Sequence, residues 1–219
     1  MRQAWFKLSG SVAGRALLWL LSLLYGAACA IRQIWISCFP HERSVPYPVI
    51  SVGNMTAGGT GKTTLTLYLV QELMARGYRA VVLTRGYKGG DEARLLEEKI
   101  GTHGEFKVLV GRNRYETARD YLDSKFKISD SKLIFIMDDG HQHTALKKDL
   151  SLVLIDASNP EALRGLLPYG WLREPLVWGL KRADAVIITH ADAVKREDLD
   201  RLSARVHQAQ PGLAVFYAR

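Results

Sequence analysis

The sequence predicts an α/β fold: a mostly parallel sheet covered by helices on both faces and preceded by an apolar N-terminal helix. Short apolar runs of strand length recur from residue 48 onward, and stretches with helical periodicity lie between several of them. Continuous apolar strands that alternate with helices are typical of a parallel sheet buried on both faces. The 219 residues, 47% of them apolar and 24% charged, are enough for one large domain with an appendage.

A long uncharged segment near the N-terminus covers residues 16–31, ALLWLLSLLYGAACAI, between Arg15 and Arg32. A bilayer span takes about 20 apolar residues, so this segment is a marginal span. A secretory signal peptide, a buried core helix and a membrane anchor all fit its composition. The basic flanks favour the anchor, as do three tryptophans. These are Trp5, Trp19 and Trp35. We therefore expect residues 1–45 to form a membrane-anchor helix that either spans the bilayer or lies in its interface.

The charge of the chain indicates anionic partners. The formal net charge is +8, and residues 1–48 hold five basic residues against one acidic residue. Nucleotides and an anionic membrane surface are both expected partners. Nucleic acid is not expected, because no dense lysine and arginine run with interleaved aromatic residues is present.

Seven apolar runs are predicted strands, and three stretches with helical periodicity are predicted helices. The strands are residues 48–52, 80–84, 107–110, 133–137, 151–155, 185–189 and 213–217. The helices are residues 62–77, 112–122 and 195–209. Residues 46–219 are therefore expected to form one nucleotide-binding domain of the phosphate-loop type, for the reason given next.

The first predicted strand runs into SVGNMTAGGTGKTT, residues 51–64. Gly61, Lys62 and Thr63 fill the last three places of the pattern G-x-x-x-x-G-K-[ST], but Thr56 stands where the first glycine belongs. Backbone N–H groups of such a loop bind phosphates, the lysine reaches the β/γ oxygens and the threonine hydroxyl can bind Mg²⁺. We expect ATP to contact Thr56, Ala57, Gly58, Gly59, Thr60, Gly61, Lys62, Thr63 and Thr64. Because ATP is a cytosolic ligand, a phosphate loop shortly after the apolar N-terminal segment also makes a secretory signal peptide a poor interpretation of that segment.

A second motif, LIFIMDDGHQH, places Asp138 and Asp139 at the end of a predicted buried strand. An acidic residue at this position, beside a phosphate loop, holds Mg²⁺ directly or through water. We expect Asp138 to serve the metal and Asp139 to orient a hydroxyl or a water at the reacting centre. The same three letters, DDG, also form common turns, so this prediction depends on the phosphate loop.

Two other phosphate-loop classes fit less well. Partition-type and nitrogenase-type ATPases carry a lysine where this chain has Ala57. GTPases carry [NT]-K-x-D after a late strand, and here the corresponding THAD, residues 189–192, has His190 in place of the lysine.

Four motifs in order resemble those of the lipid A 4′-kinases (tetraacyldisaccharide 4′-kinases). They are VGNMTAGGTGKT (52–63), TRGYKGGDE (84–92), DDGHQH (138–143) and LPYGWLREP (167–175). The family's phosphate loop also lacks the first glycine, and its members also begin with an apolar, basic segment. The short spacing between TRGY and GGDE is similar to that of plant-type members.

The resemblance implies a reaction and roles for individual residues. The family transfers the γ-phosphate of ATP, with Mg²⁺, to the 4′-hydroxyl of an acylated glucosamine disaccharide 1-phosphate at a membrane surface. Asp91 matches the family's catalytic base, and Arg85 and Arg173 fall on family motifs, where a guanidinium would suit the substrate's phosphate; structural ion pairs are equally possible roles. The expected location is the cytoplasmic face of the inner membrane, or the matrix or stromal side of an organellar membrane.

Members of the family continue into a second small α/β domain, for which this chain shows no counterpart, so a fragment or a reduced member is expected. Two alternatives remain open. A soluble ATP-dependent ligase or kinase of another phosphate-loop family would not need the N-terminal helix. A non-catalytic membrane-associated protein would bind ATP without turning it over.

Overall fold

A computed structural model of the chain describes residues 10–86, 96–98, 106–124 and 132–219. In these residues seven strands form one parallel sheet in the order β3-β2-β4-β1-β5-β6-β7. The strands are β1 (Val49–Asn54), β2 (Arg79–Thr84), β3 (Phe106–Val110), β4 (Leu133–Asp138), β5 (Leu150–Asp156), β6 (Ala185–Thr189) and β7 (Ala214–Tyr217). Each falls within two residues of a predicted apolar run, and the parallel sheet is confirmed.

Helices cover both faces of this sheet, as predicted. They are α1 (Val12–Cys38), α2 (Lys62–Ala75), α3 (Arg114–Ser124), α4 (Leu176–Leu180) and α5 (Arg196–Ala209). Short 3₁₀ turns lie at Pro160–Leu163 and Ala191–Ala193. On one face α2 packs against Val52 and Ile136; on the other, α3 packs against Phe135, and α5 against Val186. Alternate residues of the central strands therefore point into separate cores.

The topology brings the predicted site residues to one edge of the sheet. Strand β1 lies between β4 and β5, and Val52 is in register with Asp138. Because all these strands are parallel, their carboxyl ends meet at one edge, where ligands of open α/β sheets bind. The loop that follows β1 and the acidic pair at the end of β4 are thus neighbours.

The N-terminal helix α1 extends beyond the uncharged segment 16–31 at both ends and lies within the predicted range 1–45. It has 27 residues, which corresponds to about 40 Å, whereas the hydrocarbon core of a bilayer is about 30 Å thick. Ser11 caps its first turn by accepting a hydrogen bond from the backbone N–H of Gly14. The helix continues through Arg32, whose guanidinium donates to the carbonyl of Gln142 at 2.9 Å. This hydrogen bond joins α1 to the sheet domain.

Most of α1 is exposed. A narrow face that includes Gly14, Leu18 and Ser22 is buried, and Ser22 and Tyr25 on this face contact the sheet domain. The rest of its surface carries exposed large apolar residues: Val12, Leu17, Trp19, Leu20, Leu21, Leu23, Leu24, Ile31, Ile34 and Trp35. Among the described residues α1 is the helix that is long and apolar enough to cross a membrane, by length and composition only. Its exposure sets it apart from a core helix, which would be buried on most sides.

Candidate active site

The loop after β1 is held in place by two buried side chains. The amide of Asn54 donates to the carbonyl of Gly58 at 3.3 Å and to the hydroxyl of Thr60 at 3.0 Å. From the other side, the hydroxyl of Thr189, at the end of β6, donates to the carbonyl of Thr60 at 3.1 Å. The loop is therefore fixed before any ligand arrives.

The backbone geometry explains how the loop tolerates a threonine in place of the first glycine. Gly58 (φ 144°) and Gly61 (φ 81°) take the positive-φ positions that favour glycine. Thr56 instead has no positive φ and forms an isolated antiparallel bridge with Leu172. This position therefore does not require glycine, so the missing first glycine leaves the loop intact.

The loop and the start of α2 offer unengaged donors to an anion. Gly61 is the N-cap residue of α2, and no side chain caps this end of the helix. In the described residues the N–H groups of 58–61 make no backbone–backbone hydrogen bond. A Cβ added at Gly58 or Gly59 would meet no atom within 4 Å, so open space lies in front of the loop. A helix N-terminus with free N–H groups and a lysine is suited to binding phosphate.

The acidic pair occupies two different environments. Asp138 is the last residue of β4 and is 2% exposed, whereas Asp139 is more open and has φ 49°, which is uncommon for a non-glycine residue. Both carboxylate oxygens of Asp139 accept from Nη1 of Arg173 at 3.0 Å, and Oδ1 lies 3.9 Å from Nζ of Lys62. Backbone strain of this kind is concentrated at functional sites.

Arg173 reaches Asp139 because its segment pairs with the start of the phosphate loop. The N–H of Ala57 donates to the carbonyl of Trp171 at 2.8 Å, and the N–H of Arg173 donates to the carbonyl of Met55 at 2.8 Å. The motif LPYGWLREP thus forms a strap beside the loop, and the third and fourth sequence motifs are brought together through Asp139.

A cavity of about 1150 Å³ opens in front of the loop. Of the predicted site residues, those at 57–64 line it, together with Arg85, Asp139 and Arg173. Thr56 and Asp138 are buried and do not line it, and Asp91 lies outside the described residues. One wall of the cavity is formed by α1, through Tyr25, Cys29 and Arg32 among others.

The family model of LpxK, the tetraacyldisaccharide-1-P 4′-kinase, matches residues 14–215. The chain belongs to this family. The resemblance carried by the four sequence motifs is confirmed.

Individual LpxK relatives extend well beyond the matched region. The chain is 35% identical to a probable mitochondrial tetraacyldisaccharide 4′-kinase of Arabidopsis thaliana over 90% of its own length and 55% of that protein. It is 34% identical to a tetraacyldisaccharide 4′-kinase of Halothermothrix orenii, over 95% of this chain and 59% of that protein. A crystal structure of LpxK from Aquifex aeolicus in complex with ATP superimposes with a TM-score of 0.70 at 29% identity, covering 93% of this chain and 64% of that one. The chain spans little more than half the length of these curated relatives.

This LpxK-family site also contains two arginines that the sequence pattern placed only in the predicted helix of residues 112–122. Arg112 and Arg114 follow β3 directly and line the cavity. Burial lowers the pKa of the Arg114 guanidinium, while the nearby carboxylate of Asp139 raises it. Their position in the sequence could have identified them, because arginines that follow the carboxyl end of a parallel strand lie at the ligand-binding edge of the sheet. They add positive charge opposite the phosphate loop.

Gln142 and Glu174 were also missed; both line the cavity and belong to a partly buried network in its wall. The amide of Gln142 donates to the carbonyl of Asn54 at 3.0 Å and to Glu174 at 3.2 Å, while its oxygen accepts from Arg173 at 3.4 Å. Glu174 in turn accepts from Arg182 at 2.6 Å. This network ties the strap to the acidic motif; the pairing depends on contacts across the chain that no local pattern predicts.

Two histidines of the DDGHQH motif are held neutral by their surroundings. His141 is fully buried beside Glu174, and burial, followed by the charge of Arg182, lowers its pKa to about 4. His143 lines the cavity, and burial, followed by the charge of Arg114, lowers its pKa to about 4 as well. Neither adds a positive charge to the site at neutral pH.

Proposed function

We propose that this chain is the nucleotide-binding, catalytic part of a tetraacyldisaccharide 4′-kinase. It transfers the γ-phosphate of ATP to the 4′-hydroxyl of an acylated glucosamine disaccharide 1-phosphate. The observation that carries the proposal is the convergence of Lys62, Asp139 and Arg173 in front of an open phosphate loop. The cavity that contains them is walled by an exposed apolar helix, as a lipid acceptor requires. Membership of the LpxK family and the ATP bound in the Aquifex aeolicus relative support it.

ATP is bound through its phosphates in this proposal. The N–H groups of 58–61 and the N-terminus of α2 surround the phosphates, and Lys62 contacts the β/γ oxygens. The hydroxyl of Thr63 and the carboxylate of Asp138 would hold Mg²⁺. Both are oxygen ligands, the type that Mg²⁺ prefers, and both lie at the carboxyl edge of the sheet. When bound, Mg²⁺ neutralises part of the triphosphate charge.

The transfer itself relies on positioning and charge. The acceptor oxygen forms a bond to the γ-phosphorus while the bond between that phosphorus and the β–γ bridging oxygen breaks, and ADP leaves. Asp91 accepts the proton of the acceptor hydroxyl. Asp139 holds the cationic ends of Lys62 and Arg173 together in the cavity, so both are directed at the transferring phosphate. Arg85, which directly follows β2 and lines the same cavity, is placed to meet the anionic substrate.

The acceptor's acyl chains remain in a bilayer, so the site must reach the membrane. In our proposal residues 1–45 form the anchor and residues 46–219 the kinase domain. The exposed apolar surface of α1 contacts lipid, and the basic residues of the N-terminal segment contact anionic headgroups. The enzyme acts on the cytoplasmic face of a bacterial inner membrane, or on the matrix or stromal side of an organellar membrane.

The direct test is transfer of label from γ-labelled ATP to a tetraacylated disaccharide 1-phosphate presented in vesicles. Labelled lipid should form with the parent chain, or with this chain extended by the C-terminal part of a relative, and should be lost in a Lys62→Ala variant. ATP binding without any lipid product in both chains would contradict the kinase assignment.

A further inference from the structure

Three elements of the fold meet at Arg173. Its N–H donates to the carbonyl of Met55 at the start of the phosphate loop, and its side chain donates to Asp139. Its carbonyl accepts a hydrogen bond from the hydroxyl of Tyr25 at 2.7 Å. The main chain of Arg173 is thus held from one side by the loop and from the other by α1.

The contact from Tyr25 is a specific feature of an otherwise apolar helix. Ser22 lies one turn before Tyr25 and donates to the carbonyl of Leu166 at 3.0 Å; Cys29, one turn after it, places its sulfur 3.7 Å from the same carbonyl of Arg173. These residues recur at helical spacing on the face that contacts the strap. A helix that only anchors the protein in lipid needs apolar area and no hydroxyl aimed at a main-chain carbonyl of the active site.

Positions 17, 21 and 24 of α1 lie away from this face and are occupied by exposed leucines. One side of the helix is therefore free to contact lipid while another holds the strap through Tyr25. Because Tyr25 on α1 holds the main chain of Arg173, a change in how α1 packs on the sheet domain displaces that main chain. The Arg173 guanidinium transmits the displacement to Asp139 and so to Lys62. The phosphate site and the anchor helix share one residue.

We propose that Tyr25 is a positioning residue: its hydroxyl fixes the Arg173 main chain and so couples the seating of α1 to the geometry of the phosphate site. This inference rests on the proposed function, since it takes the cavity to bind ATP and α1 to bind lipid. Because coupling between two sites is reciprocal, a change at Tyr25 should appear in the binding of ATP.

Tyr25→Phe removes the hydroxyl and keeps the ring. Ser22→Ala is the matched control, because it removes the neighbouring hydrogen bond from α1 to Leu166, the residue before the strap, without contacting Arg173. We expect Tyr25→Phe to weaken the binding of Mg·ATP about fivefold by calorimetry, the effect of one net hydrogen bond. Its flotation with vesicles should equal that of the parent. Ser22→Ala should bind Mg·ATP like the parent.

A double-mutant cycle with Arg173→Ala separates positioning from general packing. If Tyr25 acts through the Arg173 side chain, the fivefold effect of Tyr25→Phe should disappear in the Arg173→Ala background. An effect that persists there overturns the inference, as does an unchanged ATP affinity of Tyr25→Phe or an equal loss in Ser22→Ala. Failure of the parent chain itself to bind ATP would contradict the proposed function instead, so the two failures are distinguishable.

Discussion

One nitrogen of Arg173 donates to both carboxylate oxygens of Asp139, each at 3.0 Å. The pair joins the strap that follows β5 to the acidic motif that follows β4, and it lies in the cavity beside Lys62. Arg173 and Asp139 are 27% and 38% exposed, so solvent screens the pair and its contribution to folding stability is small. We therefore infer that the pair contributes to the geometry of the site and not to folding stability.

Asp139→Asn should separate ATP binding from transfer. Removing the carboxylate charge leaves Lys62 and Arg173 free to contact phosphate, so Mg²⁺-free ATP should bind as tightly as in the parent or a few times more tightly. Transfer should fall by about 100-fold or more, because preorganised charge at the transferring phosphate is lost. Calorimetry with and without Mg²⁺, beside a transfer assay, checks both. Unchanged transfer would exclude Asp139 from the reacting centre.

Lys62→Ala should weaken ATP binding by about 10-fold to 100-fold, the effect of losing a charge-assisted hydrogen bond at the phosphates. Lys195 provides a matched control, because it is an exposed lysine at the start of α5 that does not line the cavity. Lys195→Ala should bind ATP like the parent. Equal affinities of the parent and the Lys62→Ala variant would show that the phosphate-loop assignment is wrong.

The strands and the phosphate loop could be predicted from sequence because their signals are local. Continuous apolar runs mark buried parallel strands, and the order of strand, glycines, lysine and helix marks the loop. Thr56 illustrates the limit of a sequence pattern: it departs from the motif, yet its backbone has no positive φ and so does not require glycine.

The parts that could not be predicted depend on tertiary contacts. The uncharged run 16–31 was a marginal span, and the hydrogen bond of Arg32 to Gln142 could not be foreseen from it. The contact of Tyr25 with Arg173 goes to a main-chain carbonyl, which leaves no trace in side-chain patterns. Arg112 was assigned to a helix by periodicity, although it lies just after β3 and lines the cavity.

Substitution of Asp138 should affect ATP binding, whereas substitution of Asp91 should affect phosphoryl transfer. Asp138 ends a buried strand, so Asp138→Asn should weaken the Mg²⁺ dependence of ATP binding. Asp91 lies in a glycine-rich sequence, GYKGGDE, and is proposed to accept the hydroxyl proton. Asp91→Asn should therefore reduce transfer while leaving Mg·ATP affinity nearly unchanged. Full transfer by the Asp91→Asn variant would remove it from the catalytic residues and leave Asp139 as the next candidate base.

Membrane association should depend on the exposed side of α1. Replacing Leu20 and Leu24 by glutamate places two charges on the exposed apolar surface of α1. It leaves unchanged the face that contacts the sheet domain through Ser22 and Tyr25. The variant should lose most of its flotation with anionic vesicles, because each buried apolar side chain contributes about 1.5 to 3 kcal/mol to partitioning. Deletion of residues 1–39 should release the chain further and leave β1 and the rest of the sheet folded. Flotation equal to that of the parent would exclude α1 as the anchor.

Acidification should destabilise the fold through His141. Its pKa in the folded state is about 4, below the value of about 6.5 for an unfolded chain. Between these pH values the unfolded state binds the proton and the folded state does not, so the free energy of unfolding falls as the pH falls from about 6.5 to about 4. The loss is roughly 2 kcal/mol at pH 5. His143, whose pKa is also lowered to about 4, adds a loss in the same direction.

His141→Asn removes this titration and keeps a polar group that can meet Ser151, the present neighbour of Nδ1 at 3.4 Å. Its absolute stability at pH 7 is expected to be lower, since the smaller side chain packs less well beside Gly53 and Gly179. The informative quantity is therefore the slope of unfolding free energy against pH, from denaturant titrations between pH 7 and pH 5. The variant should show a shallower slope than the parent. Equal slopes would mean that the pKa of His141 is the same in the folded and unfolded states. A steeper fall of stability on acidification in the variant would mean that the folded-state pKa of His141 is raised, with Glu174, 3.9 Å from Nε2, as its charge partner.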